Sequence, residues 1–158
     1  MATATDALHE FVDHFNRAWL AGIRAKLGVV GEDAGDRSLA ESLFEMMAAG
    51  RVDFTTMFRR LSTAVTGDDQ QVVELFGGSS AIGEWLPRWR ARLDTTQATA
   101  AAMDAVNPLY IARNHKVEEA LASASADGDL RPVHRLVALL REPFVEQPGA
   151  QEYTMAAP

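Results

Sequence analysis

Between residues 6 and 27 the apolar side chains Leu8, Phe11, Val12, Phe15, Trp19 and Ile23 recur mostly three and four positions apart. That spacing lines one face of an amphipathic helix. Gly28, which takes left-handed backbone without strain, predicts its end. A polar loop over residues 31–37 follows. Ser38 stands three residues before Glu41, the spacing of a capping box. A second helix is predicted from there to Gly50, with Leu39, Leu43, Met46 and Met47 on its inner side. Asp53 predicts the start of a third, striped by Phe54, Met57, Phe58, Leu61 and Val65. Asp68 or Asp69 is expected to cap a short helix through Val72, Val73 and Phe76, closed by Gly77 and Gly78.

Ser79 or Ser80 opens the next segment, where Ile82, Trp85, Leu86, Trp89 and Leu93 keep helical spacing. Pro87 lies among them and predicts a kink or two abutting helices. Thr95 or Thr96 is expected to cap an alanine-rich helix running through Met103 to Val106. Pro108 disfavours helical geometry at Asn107 and predicts its end. A helix near 114–126 carries Val117, Ala120, Leu121 and Ala124, with Gly128 as its stop. Asp129 is expected to cap the last one, which carries Leu130, Val133, Leu136, Val137 and Leu140 and stops at Pro143. No stretch sustains two-residue alternation. The pattern predicts an all-α protein: a single compact multi-helix domain of seven or eight helices over residues 1–143, with an extended C-terminal tail over 144–158.

Composition agrees with a packed domain. The 158 residues are 47% hydrophobic and 23% charged, ordinary for a globular chain. A net charge of -7 repels a phosphate backbone and argues against nucleic acid as a partner. The absence of cysteine excludes disulfides, thiolate zinc sites and a thiol nucleophile within these residues. No apolar run approaches the roughly 20 residues of a membrane helix, and no basic-then-apolar start marks a secretory signal. A cytoplasmic location is the expectation, and the Ala- and Arg-rich composition fits a GC-rich bacterial genome.

Signatures of chemistry are sparse. There is no glycine-rich phosphate loop and no kinase lysine, catalytic loop or metal-binding triplet. Of the histidines His9, His14, His115 and His134, His9 shares a helix face only with Asp13, short of the three protein ligands typical of catalytic zinc. Trp85, Arg88, Trp89, Arg90 and Arg92 mix aromatic and basic character, which can mark single-strand binding. Trp85 and Trp89 nevertheless align with Ile82 and Leu93, so core packing with Arg88 and Arg92 outside is the expectation. Met46, Met47, Phe54 and Phe58 are likewise assigned to the core. The acidic turns at 67–69 and 127–129 lack the ligand spacing of a calcium loop and are assigned to helix punctuation.

One stretch is more distinctive. Met103-Asp-Ala-Val-Asn-Pro-Leu-Tyr-Ile-Ala-Arg-Asn-His115, continued by Val117, Glu118 and Ala120, resembles the run V-N-P-x-Y-I-x-R-N-H…V-E-x-A of the selenoprotein O family. Arg141-Glu-Pro-Phe-Val-Glu-Gln-Pro148 is similar to that family's P-[FY]-x-E-Q-P element. Arg24-Ala-Lys-Leu-Gly28 and Asp53-Phe-Thr…Phe58-Arg59 match in kind and order. The resemblance implies a kinase-like protein adenylyltransferase that transfers AMP from ATP to protein hydroxyls of Ser, Thr or Tyr. Its ATP- and magnesium-binding residues lie in a pseudokinase region before the part matched here, and the family tends to end in a redox-active cysteine or selenocysteine. No catalytic, cofactor or metal residue carries over, and the chain is expected to be truncated at both ends.

The expected role is that of a C-terminal structural or regulatory domain of such an enzyme. Its partner would be the parent's kinase-like domain, with protein substrates beyond it. Alternatives are a free-standing helical interaction module and an enzyme with an unrecognised site. Exposed apolar surface for docking, or a homo-oligomer covering it, is expected. The residues Asn107, Pro108, Tyr110, Ile111, Arg113, Asn114, His115, Glu118, Pro143, Glu146, Gln147 and Pro148 are expected to be structural or domain-docking. Asn114 would cap the following helix. Arg113 and His115 would bond carbonyls freed at the preceding helix end. Tyr110 and Ile111 would pack beneath.

Overall fold

A computed structural model describes residues 4–94 and 100–157. Eight α-helices follow one another among them: α1 (Ala4–Leu27), α2 (Asp36–Gly50), α3 (Phe54–Ala64), α4 (Gln70–Leu75), α5 (Ser80–Arg92), α6 (Ala100–Asp104), α7 (Asn114–Asp127) and α8 (Arg131–Arg141). A single 3-10 turn, Gln151–Tyr153, comes last. No strand occurs among the described residues, so the fold is all-α. Thr95 and Thr96, the expected caps of α6, lie outside the described residues.

The apolar stripes converge on one main core. Ile23 and Leu27 of α1, Leu43 of α2, Met57, Phe58 and Leu61 of α3, Val72 of α4, four residues of α5 and Met103 of α6 are all buried there. Trp85 and Trp89 sit at its centre with rings 6.1 Å apart and 9° from parallel. Their indole N–H groups donate to the Leu39 and Leu27 carbonyls, so neither buried donor is left unpaired. A second, smaller cluster of Tyr110, Leu139 and Ala150 lies beside the α7–α8 hairpin.

Several expected boundaries move, each for a local reason. α2 opens at Asp36, two residues before Ser38, and Gly35 at its N-cap makes no side-chain bond. The Ser38–Glu41 capping box does not form, because Asp36 is drawn inward by two arginines and joins the first turn. Of the two expected caps of α4, Asp68 accepts from the Gln70 amide at its start, whereas the Asp69 side chain makes no cap bond and pairs instead with Arg90. Pro87 neither ends nor divides α5, which runs unbroken from Ser80 to Arg92. Both Pro87 and Gly83, whose carbonyl a proline at 87 leaves without a helical donor, are exposed to solvent, so the carbonyl is not stranded in the core. Arg92, expected outside, folds back onto Asp36. Residues 142–157 carry no α-helix, and they turn back to pack over the hairpin, with Ala150 fully buried.

Candidate functional site

The segment between α6 and α7 joins the main core to the α7–α8 hairpin, and its side chains are anchored on both sides. Asn107 is 1% exposed. Its Nδ2 donates to the Lys26 carbonyl at the end of α1 (2.9 Å), one of the carbonyls a helix end leaves without a donor. The Lys26 ammonium donates back to Asn107 Oδ1 and to the Val106 carbonyl, and it lies over the Phe54 and Phe58 rings. Burial lowers the pKa of Lys26. Arg59 of α3 donates to the carbonyls of Asp104 and Asn107. Gly28 completes this corner. At φ +69 it ends α1, a left-handed backbone that favours glycine, and a Cβ there would stand 2.7 Å from the Met103 sulfur, so the buried Met103 side chain would have to shift to admit one.

The second anchor is ionic. Arg113 is buried and is the residue preceding α7. Its two terminal nitrogens each donate to one oxygen of Asp53 at 2.9 Å, the forked geometry that suits guanidinium and carboxylate. Asp53 is also the N-cap of α3, accepting from the Thr56 amide and hydroxyl. One carboxylate thus caps one helix and holds the start of another. The Arg113 bonds hold the Asp53 carboxyl well below the usual carboxylate range, against burial, with help from Thr56. Arg113 reaches on to the Thr154 carbonyl and so ties in the C-terminal segment as well.

That segment is stitched to the junction by backbone. The Leu109 and Tyr110 amides both donate to the Pro143 carbonyl, at 2.7 and 3.2 Å. The Gln147 amide donates to the Tyr110 hydroxyl, and Arg135 of α8 donates to the Gln147 side chain and the Pro148 carbonyl. Tyr110, Glu146 and Gln147 line a cleft of about 460 Å³ with Thr56, Arg59 and Arg60. Pro108 and Ile111 border a smaller one of about 230 Å³ beside Lys26.

Some expected roles change. Asn114 does not cap α7; it is the first helical residue, exposed, and Arg113 occupies the cap position without a side-chain cap bond. Arg113 bonds Asp53 and Thr154 rather than carbonyls of the preceding helix. The carbonyl-binding role falls to Asn107, Lys26 and Arg59. Tyr110 is packed in, but Ile111 is 38% exposed. His115 and Glu118 lie on α7 and join none of these bonds. A carboxylate held ionised by a bidentate guanidinium is a poor proton acceptor near neutral pH. The bonds of this arrangement tie the start of α3, the start of α7 and the C-terminal segment together. Among the described residues no three or more His, Asp or Glu gather as a metal site.

Sequence reasoning missed Asp36. It sits 3% exposed beneath α1 and α5, taking bonds from Arg24, Arg92 and the Asp33 amide. Burial opposes its charge, but these bonds prevail and lower its pKa. In the sequence it is one acidic residue in a polar loop, with no local signal to separate it from Glu32 or Asp33.

The four sequence stretches singled out above, around Lys26, Asp53, Asn107–His115 and Pro143–Pro148, therefore meet at this one junction. The family model of protein adenylyltransferase SelO matches residues 1–141. The chain belongs to the SelO family. A protein nucleotidyltransferase YdiU of Cereibacter sphaeroides is 48% identical over 155 residues, covering 98% of this chain and 31% of the relative. Those of a Bradyrhizobium species and of Mycolicibacterium paratuberculosis are 44% and 39% identical, each with 32% of its length covered. The SelO chain described here thus spans about a third of the curated relatives it matches. No helix among its described residues is long and apolar enough to cross a membrane.

Proposed function

We propose that these residues form the C-terminal helical domain of a SelO-type protein adenylyltransferase. In this reading the domain has a structural or regulatory role, and a kinase-like region elsewhere in the polypeptide transfers AMP from ATP to protein hydroxyls in the cytoplasm. The observation that carries it is the match of nearly all of this chain to only about a third of each relative. The use of the family-like residues supports it. Asn107 and the terminal nitrogens of Arg113 bond helix ends, and Tyr110 and Pro143 bond between the two segments that flank the hairpin, whereas an adenylyl-transfer site needs phosphate- and metal-binding groups facing an open cavity.

Titration of the chain with ATP and magnesium in a calorimeter tests the assignment. No micromolar site is expected, and no label should pass from α-labelled ATP to a protein acceptor. A stoichiometric micromolar site accompanied by label transfer would put the catalytic machinery in this domain and overturn the reading.

A further inference from the structure

The first turns of α1 stand clear of the body. Every residue from 5 to 15 is exposed, and the core takes its α1 contributions only from Trp19 onward. This arm is roughly 16 Å long at the rise of an α-helix. It is not polar all round. Leu8, Phe11, Val12 and Phe15 are 64%, 66%, 49% and 57% exposed, at spacings that put them on one face. The Phe11 and Phe15 rings lie 6.4 Å apart. The stripe continues through Trp19 into an open apolar groove of about 620 Å³, walled by Ile23, Phe44, Met47, Val52 and Phe54. Phe44 touches both Trp19 and Phe54, so arm and groove form one surface.

Such a surface calls for a covering. Helices of this length are marginal in water without tertiary packing, and contiguous exposed apolar patches of this kind mark interaction sites. The arm is also part of the family's common region, because the family match covers residues 1–141 and includes all of α1. What the relatives carry besides this region is the larger part of their length, since this chain spans 31% of one and 32% of others.

We propose that the Leu8–Phe15 stripe and the adjoining Trp19–Phe54 groove are the face on which the domain docks against the remaining, kinase-like part of the same adenylyltransferase. This rests on the function proposed above and names the surface that would carry it. Helix-in-groove packing uses anchors at such spacings on one helix face. The arm would supply them, and the groove would accept apolar side chains from the catalytic part.

Hydroxyl-radical footprinting reads the burial of these side chains directly. The 155 matched residues of the Cereibacter sphaeroides relative are replaced by this chain, and oxidation of Phe11 and Phe15 is compared with that in the chain alone, sedimenting as a monomer. Several-fold slower oxidation in the joined protein is expected. Equal oxidation in both would overturn the proposal. So would protection already present in the chain alone through a concentration-dependent dimer, which would make a second copy the occupant. If the joined protein does not fold, the intact relative is footprinted over its own helix aligned with α1, with the same two readings. The double substitution Phe11→Asp with Phe15→Asp should leave the melting of the isolated chain unchanged and lower that of the joined protein; the reverse pattern contradicts docking. AMP transfer is scored separately. Protection without transfer sinks the functional reading alone, and transfer without protection sinks the docking face alone.

Discussion

At the scale of single residues, two neighbouring asparagines separate a polar group that holds the fold from one that decorates it. Asn107 is buried and bonded through both side-chain atoms; Asn114 is exposed at the start of α7. Asn107→Ala leaves the Lys26 carbonyl without its side-chain donor, while the Lys26 ammonium keeps the Val106 carbonyl, and should cost about 1–3 kcal/mol, the range for an orphaned buried polar group. Asn114→Ala should stay within about 0.5 kcal/mol, as for ordinary surface changes. Urea unfolding of the two variants checks both, and a larger loss at Asn114 would restore a capping role to it. Asp53 adds a pH dependence. Its folded pKa lies below the unfolded value of about 3.9, so its contribution is full above that value and is lost as pH falls through the folded pKa. Asp53→Asn keeps a capping side chain and removes the titration. Its melting temperature should fall less than that of the unsubstituted chain between about pH 5 and pH 3. Parallel curves would mean that the Arg113 pair does not stabilise the fold.

At the scale of elements, helix existence was legible and helix junctions were not. The stripes of α1, α3, α5 and α8 are visible in sequence because burial imposes the helical period on them. Asp53 and Ser79 were identifiable as caps because their role is local and each bonds an amide two or three residues on. Asp36 gives no signal in sequence, and Asp68 and Asp69 cannot be told apart there, because the deciding partners of Asp36 and Asp69, Arg92 and Arg90, are 56 and 21 residues away; Asn114 fails as a cap because Arg113 occupies that position. The stretch 144–158 reads as extended in sequence because it has no helical period; what holds it is the Pro143 carbonyl, which accepts from the Leu109 and Tyr110 amides, and the Gln147 amide, which donates to the Tyr110 hydroxyl. The family-like site was readable as a cluster of residues, yet its bonding pattern depends on contacts that no spacing encodes. Pro87 is the clearest conflict between local rule and fold. On the solvent face of α5 it costs a hydrogen bond without breaking the helix. Pro87→Ala should restore the bond to the Gly83 carbonyl and stabilise the chain by about 1–3 kcal/mol, raising the melting temperature. A fall would show that the proline shapes the helix for packing.

At the scale of the molecule, two apolar centres are joined by one polar junction. The main core gathers α1 to α6, and the smaller cluster sits beside α7 and α8. Between them the links are specific: the Asn107 amide to α1, Arg59 to the 104–107 turn, and Arg113 to both Asp53 and Thr154. Most stability of such a domain comes from buried apolar area, but the relative placement of the two centres comes from these directional bonds. Asn107 and Arg113, within the family-like stretch, supply several of these bonds. Arg113 tests this most directly, because it bonds the N-cap of α3, leads into α7 and holds the C-terminal segment. Arg113→Ala should lower the unfolding free energy of the isolated chain by about 2–3 kcal/mol in denaturant, somewhat under the cost of breaking a fully buried ion pair because Asp53 keeps 22% of its side chain exposed. Unchanged stability of that variant, together with loss of AMP transfer when the same substitution is made in the joined protein, would contradict the account and make the junction a functional site.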